Sequence, residues 1–440
     1  MVEAILGVPV IVKVLGALAA ILVVNRFVKT LVVSVGIGAL TLGLWSGHSA
    51  SGMLAVAWHG MSSTGNLLLL LVVFQVIALS SQMSETGVMD ELVAAVRALV
   101  SQRAAMAALP AVIGLLPMPG GALFSAPLVD SCDVERGVAP ALKAQTNHWF
   151  RHVWEYWWPL YPGVLLAMKL TRLEVWQFMM MGVPLSICAI AAGYVFLLRR
   201  ISPEAGDATS ERPAGSWTRG IRRLASLVLP IALVIGCYAA VRLLYGGVRY
   251  VRPQAPEMNS FVPMIVGLCV AMAVLQWQRP LGAARWAGIL VSSRAWSMVA
   301  IVVMVLVYGA FVEARLPGGE PLVKLMHKEM AQWGIPLTAI IILLPLVSGL
   351  SMGLSAGFVG ASFPIVMSLV GDQPSLRTLL STTVLAYGFG YMGMLLSPVH
   401  VCLIVTSEHF HIGVLRNVAG LLKPAAVMLV ITVLVHLALR

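Results

Sequence analysis

Long apolar runs recur along this 440-residue chain, and each is long enough to cross a lipid bilayer. A membrane-spanning helix needs about 20 apolar residues. Within hydrocarbon, helices and closed barrels alone satisfy every backbone hydrogen-bonding group. The runs cover residues 4–24, 29–46, 65–83, 148–171, 174–198, 224–244, 258–277, 295–313, 380–407 and 412–438. They predict an all-α polytopic membrane protein with about ten transmembrane helices.

Composition agrees with this setting, since 59% of the residues are hydrophobic and 11% are charged. The net charge of +11 does not indicate nucleic acid, because Lys and Arg in a membrane protein set its orientation. Glu3 stands where a signal peptide would carry basic residues, so we expect the first run to be retained. The five cysteines show no metal-binding or disulfide spacing.

Two further apolar segments, 104–129 and 334–370, contain clusters of Pro and Gly. Irregular backbone at membrane depth survives where protein or a water-filled cavity surrounds it. If 104–129 enters and leaves on the cytoplasmic side, most Lys and Arg residues face the cytoplasm, including those of the polar linker 200–223. We therefore predict re-entrant hairpins at 104–129 and 334–370, with both termini outside.

The linker separates two halves, 1–199 and 224–440, that resemble each other. "PAVIG" at 110–114 recurs as "PLVSG" at 345–349, and each is followed by a second proline, Pro127 or Pro364. Five crossings per half require the second copy to be inserted upside down. Inverted repeats with interrupted helices at matching positions are typical of secondary transporters whose site lies between the repeats.

"LPMPGGALFSAPLV" followed by "NHWFRHVWEYWWPLYPG" resembles the integral membrane family called domain of unknown function 401, in the ion transporter superfamily. This resemblance implies two inverted repeats, each with a re-entrant hairpin and a broken helix. Relatives in the superfamily carry carboxylates and other organic anions with Na⁺ or H⁺, several by an elevator-like movement. The Ser-Asn-Thr triplets of the dicarboxylate branch are absent, so dicarboxylate specificity does not follow.

The hairpins and the broken spans supply the candidate substrate-binding residues. Interrupted helices offer open N–H groups and positive dipole ends to an anion, and hydroxyls can donate to it. Glycines at four-residue spacing are equally typical of close helix packing. The candidates are Pro119, Gly120, Gly121, Ser125, Pro162, Gly163, Ser348, Gly349, Ser351, Gly353, Ser355, Ser397 and Pro398.

Ionisable residues within membrane depth are candidates for coupling. Glu155 and His152 are three residues apart, so they share a helix face and could also simply pair. His400 approaches from the second half, whereas Lys13 is expected to have a structural role and His148 to lie at the interface. The alternative to proton coupling is a Na⁺ site that includes Ser351 and Ser355. No metal site and no cofactor are predicted.

The sequence thus predicts a secondary active transporter of a small, carboxylate-like organic anion, coupled to H⁺ or Na⁺. An anion channel is the alternative, followed by an intramembrane enzyme, although motifs such as HExxH and GxSxG are absent. The aromatic run at 149–161 favours either an interfacial belt or a ligand-stacking surface. We expect a multi-pass protein of a bacterial or archaeal cytoplasmic (inner) membrane, in contact with lipid. The sequence does not decide whether it forms a homodimer.

Overall fold

The computed structural model is helical throughout the residues that it describes, which are 8–117, 121–133, 137–201, 216–316, 319–371 and 373–440. Their one β feature is an isolated bridge between Arg315 and Pro321. The first half contains α1 (Val10–Val28), α2 (Leu31–Trp45), α3 (Ala50–Ser62), α4 (Thr64–Glu85), α5 (Val88–Leu99), α6 (Gln102–Gly114), α7 (Ala122–Asp130), α8 (Pro140–Arg151), α9 (Pro162–Thr171) and α10 (Val175–Phe196).

A short 3-10 turn, Leu198–Arg200, ends the first half. The second half contains α11 (Ser216–Val251), α12 (Phe261–Gln278), α13 (Ala283–Leu290), α14 (Ser293–Glu313), α15 (Leu322–Trp333), α16 (Leu337–Met352), α17 (Ser355–Val370), α18 (Leu376–Leu395), α19 (Val401–His409) and α20 (Val414–Leu439). The short helices α3 and α13 lie outside every predicted span.

Several helices are long and apolar enough to cross a membrane, which confirms a polytopic membrane protein. Within the described residues they number seven, or eight if the bent pair α15 and α16 forms one span. The sequence predicts ten because it counts α2, which has 15 residues. It also counts the runs 148–171 and 380–407, each of which is divided between two helices, α8 and α9 in the first run and α18 and α19 in the second.

Proline and glycine set the positions of these breaks. α8 begins at Pro140 and α9 at Pro162, where the fixed φ of proline suits the first turn of a helix. The first broken span therefore begins before residue 148, where the sequence placed it. α16 ends at Gly353, whose φ of +60° is a left-handed conformation that glycine adopts at helix ends.

Two pairs of short helices pack against each other, α6 with α7 and α16 with α17. They coincide with the two predicted hairpins, and residues 118–120 of the first turn lie outside the described part. Contacts between the halves are reciprocal. The half-helix α9 packs on α17, and α19 packs on α7. The tips of the paired helices and the breaks of the spans are thereby brought to one place.

Candidate functional site

A cavity of about 70 Å³ lies where the two breaks meet the ends of the paired helices. Both halves of the chain contribute to its wall, and the second half includes Met298 of α14. Its polar lining consists of Arg151, His152, Glu155, Tyr161, Ser355, His400 and Cys402. All seven residues are buried, so the cavity wall brings ionisable groups together inside a largely apolar protein.

Three helices begin at this cavity. Pro162 is the first residue of α9, Ser355 is the first residue of α17, and His400 immediately precedes α19. All three residues line the cavity. The first turn of a helix carries unpaired N–H groups and the positive end of the helix dipole. The convergence of three such ends makes this region favourable for negative charge.

Arg151 ends α8 and brings a buried positive charge to the same place, with 2% of its surface exposed. The first pair of helices is built around it. A Cβ atom added at Gly121 would lie 2.0 Å from Nη2 of Arg151, and one added at Gly114 would meet the Arg151 carbonyl oxygen. Both glycines are therefore required by close approach to Arg151.

Glu155 and His152 pair within the break, as their spacing suggested. The Nδ1 atom of His152 lies 2.6 Å from a carboxylate oxygen of Glu155. The non-helical backbone here is stabilised from the second half, since Tyr387 donates to the carbonyl of Glu155 at 2.8 Å and Tyr391 to that of His152. Two tyrosines of α18 thus satisfy carbonyls that an intact helix would have used.

Three histidines gather on one side of the cavity. The Nε2 atoms of His152 and His400 lie 3.2 Å apart, and His148 stacks edge-on against both rings. One ring nitrogen of each lies within 4.8 Å of the others. The expectation that His148 is interfacial is wrong, because the side chain is fully buried. Since these residues come from distant parts of the chain, their spacing could not reveal the cluster.

The aromatic run at 149–161 fixes the first paired helix and does not form an interfacial belt. Trp154 and Trp158 donate their ring N–H groups to the carbonyls of Ala111 and Leu115, at 2.7 and 2.9 Å, and Tyr161 donates to that of Gly114. These carbonyls belong to the last turn of α6, which has no further helical partners. The prediction of an interfacial belt is wrong, because the N–H and O–H groups of these aromatic rings form hydrogen bonds inside the protein.

The structure places part of the predicted site at the cavity. Its lining includes Pro162, Ser355, His152, Glu155 and His400. Gly121, Gly163 and Gly353 lie directly behind it, against Arg151, Ser355 and His400 respectively. Pro119 and Gly120 fall outside the described residues.

The remaining candidates lie away from the cavity lining. Ser125 and Ser348 are buried, Ser351 is half-buried and Pro398 is exposed. Ser397 donates to the carbonyl of Leu350 at 2.6 Å. Gly349 serves packing, because a Cβ there would lie 2.2 Å from the Gly390 carbonyl oxygen. The repeated glycines of "PAVIG" and "PLVSG" thus both allow a paired helix to pack closely against a broken span.

Lys13 has a structural environment, as expected. The Glu329 carboxylate accepts the backbone N–H groups of Val10 and Ile11, both at 2.8 Å, at the start of α1. The buried ammonium of Lys13 experiences the attractive charge of the same carboxylate. A shared acidic partner therefore places Lys13 in the packing of α1 against α15.

Sequence reasoning missed Arg151, His148 and Cys402 as parts of the site. A signal was present for Arg151, since a basic residue one position before a broken segment is costly in hydrocarbon. Cys402 offered none, because its neighbours in the cavity are set by the packing of α19 against α7 and α8.

Among the described residues, a helical architecture with several helices long and apolar enough to cross a membrane defines a polytopic α-helical membrane protein. The chain belongs to the family described as "Protein of unknown function (DUF401)", whose model matches residues 11–210 and 289–439. The match includes the interrupted runs 148–171 and 380–407 and both pairs of short helices, and it leaves out all of α11 and α12 and most of α13. A search of curated proteins finds no match.

Proposed function

We propose that this protein is a secondary active transporter of a small, carboxylate-like organic anion. The observation that carries the proposal is the buried guanidinium of Arg151 beside three converging helix starts, those at Pro162, Ser355 and Val401. A guanidinium can bind a carboxylate with two parallel hydrogen bonds. An anion in the cavity would meet the Arg151 guanidinium together with the dipole ends of three helices.

The order of the helices supports an arrangement in two repeats. Each half contains two leading helices, a short helix, a long helix, a surface helix, a pair, a broken span and a closing helix. The contacts match as well, since α4 packs on α12 while α14 packs on α2. We infer that the halves are inverted repeats. The cavity between their breaks then corresponds to the central site of an alternating-access carrier.

The lengths of the paired helices support re-entrant hairpins. α6 and α7 have 13 and 9 residues, so at about 1.5 Å per residue neither spans a core roughly 30 Å thick. Cysteines introduced at positions 136 and 212, which lie outside the described residues, test this in a background without reactive native cysteines. Labelling of both from the cytoplasmic side is expected. Labelling from opposite sides would contradict the hairpin.

Small cavity size and direct contact between the halves favour a carrier over the alternative of an anion channel. We further propose coupling to H⁺ or Na⁺, an elevator-like movement and a location in a bacterial or archaeal cytoplasmic membrane with both termini outside. Uptake driven by a pH gradient without Na⁺, compared with uptake driven by a Na⁺ gradient at constant pH, identifies the coupling ion. Equal uptake with neither gradient would contradict coupling.

One arrangement favours an enzyme as the second candidate. Cys402 and His152 line the same cavity, and Nδ1 of His152 pairs with Glu155. A nucleophile, a base and an orienting carboxylate in this order resemble the groups of a thiol-dependent acyl transferase or hydrolase. Cys402→Ser separates the two functions, because a carrier keeps its anion binding whereas a thiol enzyme loses all turnover.

Anion binding is tested by thermal shift, since a ligand that binds the folded state raises the melting temperature. The purified protein is screened against mono-, di- and tricarboxylates, with chloride as the reference anion. We expect at least one carboxylate to stabilise the wild type and the Arg103→Met control, but not Arg151→Met. Arg103 is a suitable control because it lies outside the cavity, over the ring of Tyr194. Equal stabilisation of Arg151→Met would contradict the assigned site.

A further inference from the structure

The histidine cluster has a hydrogen-bonding pattern that points to a ligand beyond the transported anion. One ring nitrogen of each histidine lies within hydrogen-bonding distance of a carbonyl or carboxylate oxygen of the protein. Nε2 of His148 lies 2.9 Å from the Leu395 carbonyl, and Nδ1 of His400 lies 2.5 Å from the Gly353 carbonyl. Nδ1 of His152 is held by Glu155. A carbonyl or carboxylate can only accept, so these three nitrogens carry the protons.

The other ring nitrogens then present lone pairs. Nδ1 of His148 is buried and has no hydrogen-bond partner among the described residues. The Nε2 atoms of His152 and His400 face each other at 3.2 Å. Two lone pairs at this distance repel each other unless a proton or a metal ion lies between them. Histidines whose second nitrogen donates to a carbonyl or carboxylate are the usual metal ligands of proteins.

We propose that His148, His152 and His400 bind a divalent transition-metal ion such as Zn²⁺. Two nitrogens bound to one tetrahedral Zn²⁺ at about 2.0–2.1 Å are roughly 3.3–3.4 Å apart, which matches the 3.2 Å between His152 and His400. The third nitrogen, within 4.8 Å, must approach by up to about 1.4 Å to complete the set.

Cys402 is placed to supply the fourth ligand. It lines the same cavity as His152 and His400. A thiol that binds Zn²⁺ does so as thiolate, so its proton leaves for solvent as the metal enters. Glu155 offsets the charge of Arg151 nearby, which lowers the repulsion that a cation would otherwise meet in this cavity.

This proposal rests on the ligand geometry and not on transport, so it is tested by binding. Co²⁺ is titrated into purified protein whose affinity tag has been removed, and the visible absorption of tetrahedral Co²⁺ is recorded. We expect one equivalent to bind, Zn²⁺ to displace it and Mg²⁺ not to, because imidazole and thiolate ligands suit Zn²⁺ whereas Mg²⁺ prefers oxygen.

His152→Gln and His400→Gln should each weaken Co²⁺ binding at least tenfold. His436→Gln should bind like the wild type, because His436 is also buried in a spanning helix but pairs with Ser381. Circular dichroism and melting curves confirm that each variant is folded. Absence of Co²⁺ binding by the wild type, or unchanged binding by folded His152→Gln and His400→Gln, would overturn the site. Cys402→Ser should remove the sulfur-to-cobalt absorption, and its absence from the wild type would exclude Cys402 as ligand.

Discussion

Gly121→Ala should disable anion binding without unfolding the protein. Gly121 has φ −58° and ψ −12°, which alanine adopts freely, so only the space in front of it matters. The new Cβ would lie 2.0 Å from Nη2 and 2.8 Å from Cζ of Arg151. To regain a contact of about 3.5 Å, the guanidinium must retreat by roughly 1.5 Å. The end of a flexible side chain can do this, so the fold is retained.

Because Gly121 lies behind the cavity lining, this displacement moves the guanidinium out of the position from which it would hydrogen-bond an anion in the cavity. A hydrogen bond to a charged group contributes about 1.5–3 kcal/mol, and each 1.4 kcal/mol is a tenfold change in affinity. The dissociation constant should therefore rise by about 10- to 150-fold, and Gly121→Val should be at least as severe. The assay is isothermal titration with the most stabilising carboxylate of the thermal-shift screen.

Two neighbouring glycines make the test specific. Gly114→Ala should impair folding, because its Cβ would meet the backbone carbonyl of Arg151, which cannot retreat alone. Gly137→Ala should change neither property, since no atom lies within 4 Å of its Cβ position. Wild-type affinity in well-folded Gly121→Ala would refute the placement of Arg151 at the anion site.

Two further predictions concern stability. Gly349→Ala should lower stability by about 1–3 kcal/mol, because its Cβ would lie 2.2 Å from the Gly390 carbonyl oxygen, whereas Gly413→Ala, with open space around it, should melt like the wild type. On the surface, the hydrogen bond from Arg279 lowers the pKa of Glu91, so its stabilising effect is present at neutral pH and is lost as pH falls through that lowered pKa. Glu91→Gln should remove this pH dependence from melting curves. The free energy of unfolding should change by no more than about 1 kcal/mol, because the pair is partly exposed. An unchanged pH profile would contradict that role.

The apolar runs identified the long apolar helices, and the Pro and Gly clusters identified the paired helices and the breaks, because run length and backbone geometry are local properties. Pro162 and Gly353 end or begin helices as expected. The exact start of α8 was missed, since Pro140 lies in a stretch of low hydropathy that no apolar run marks.

The composition of the cavity was less predictable, because it depends on contacts across the two halves. Glu155 and His152 were identified from their spacing, and His400 from its place beside a break. Arg151 and Cys402 enter the cavity only through the packing of α8 and α19. Conversely, Ser348 and Gly349 looked like ligands because small polar residues serve a binding site and close helix packing equally well.

Counterflow in proteoliposomes tests the central proposal most directly. Vesicles containing purified protein are loaded with an unlabelled carboxylate from the screen, and entry of the same labelled anion is followed. We expect saturable entry that is stimulated by the internal anion and lost in folded Arg151→Met, but retained in Arg103→Met. Entry that does not depend on the internal anion, or that persists in Arg151→Met, would contradict a carrier that binds its anion at the two breaks.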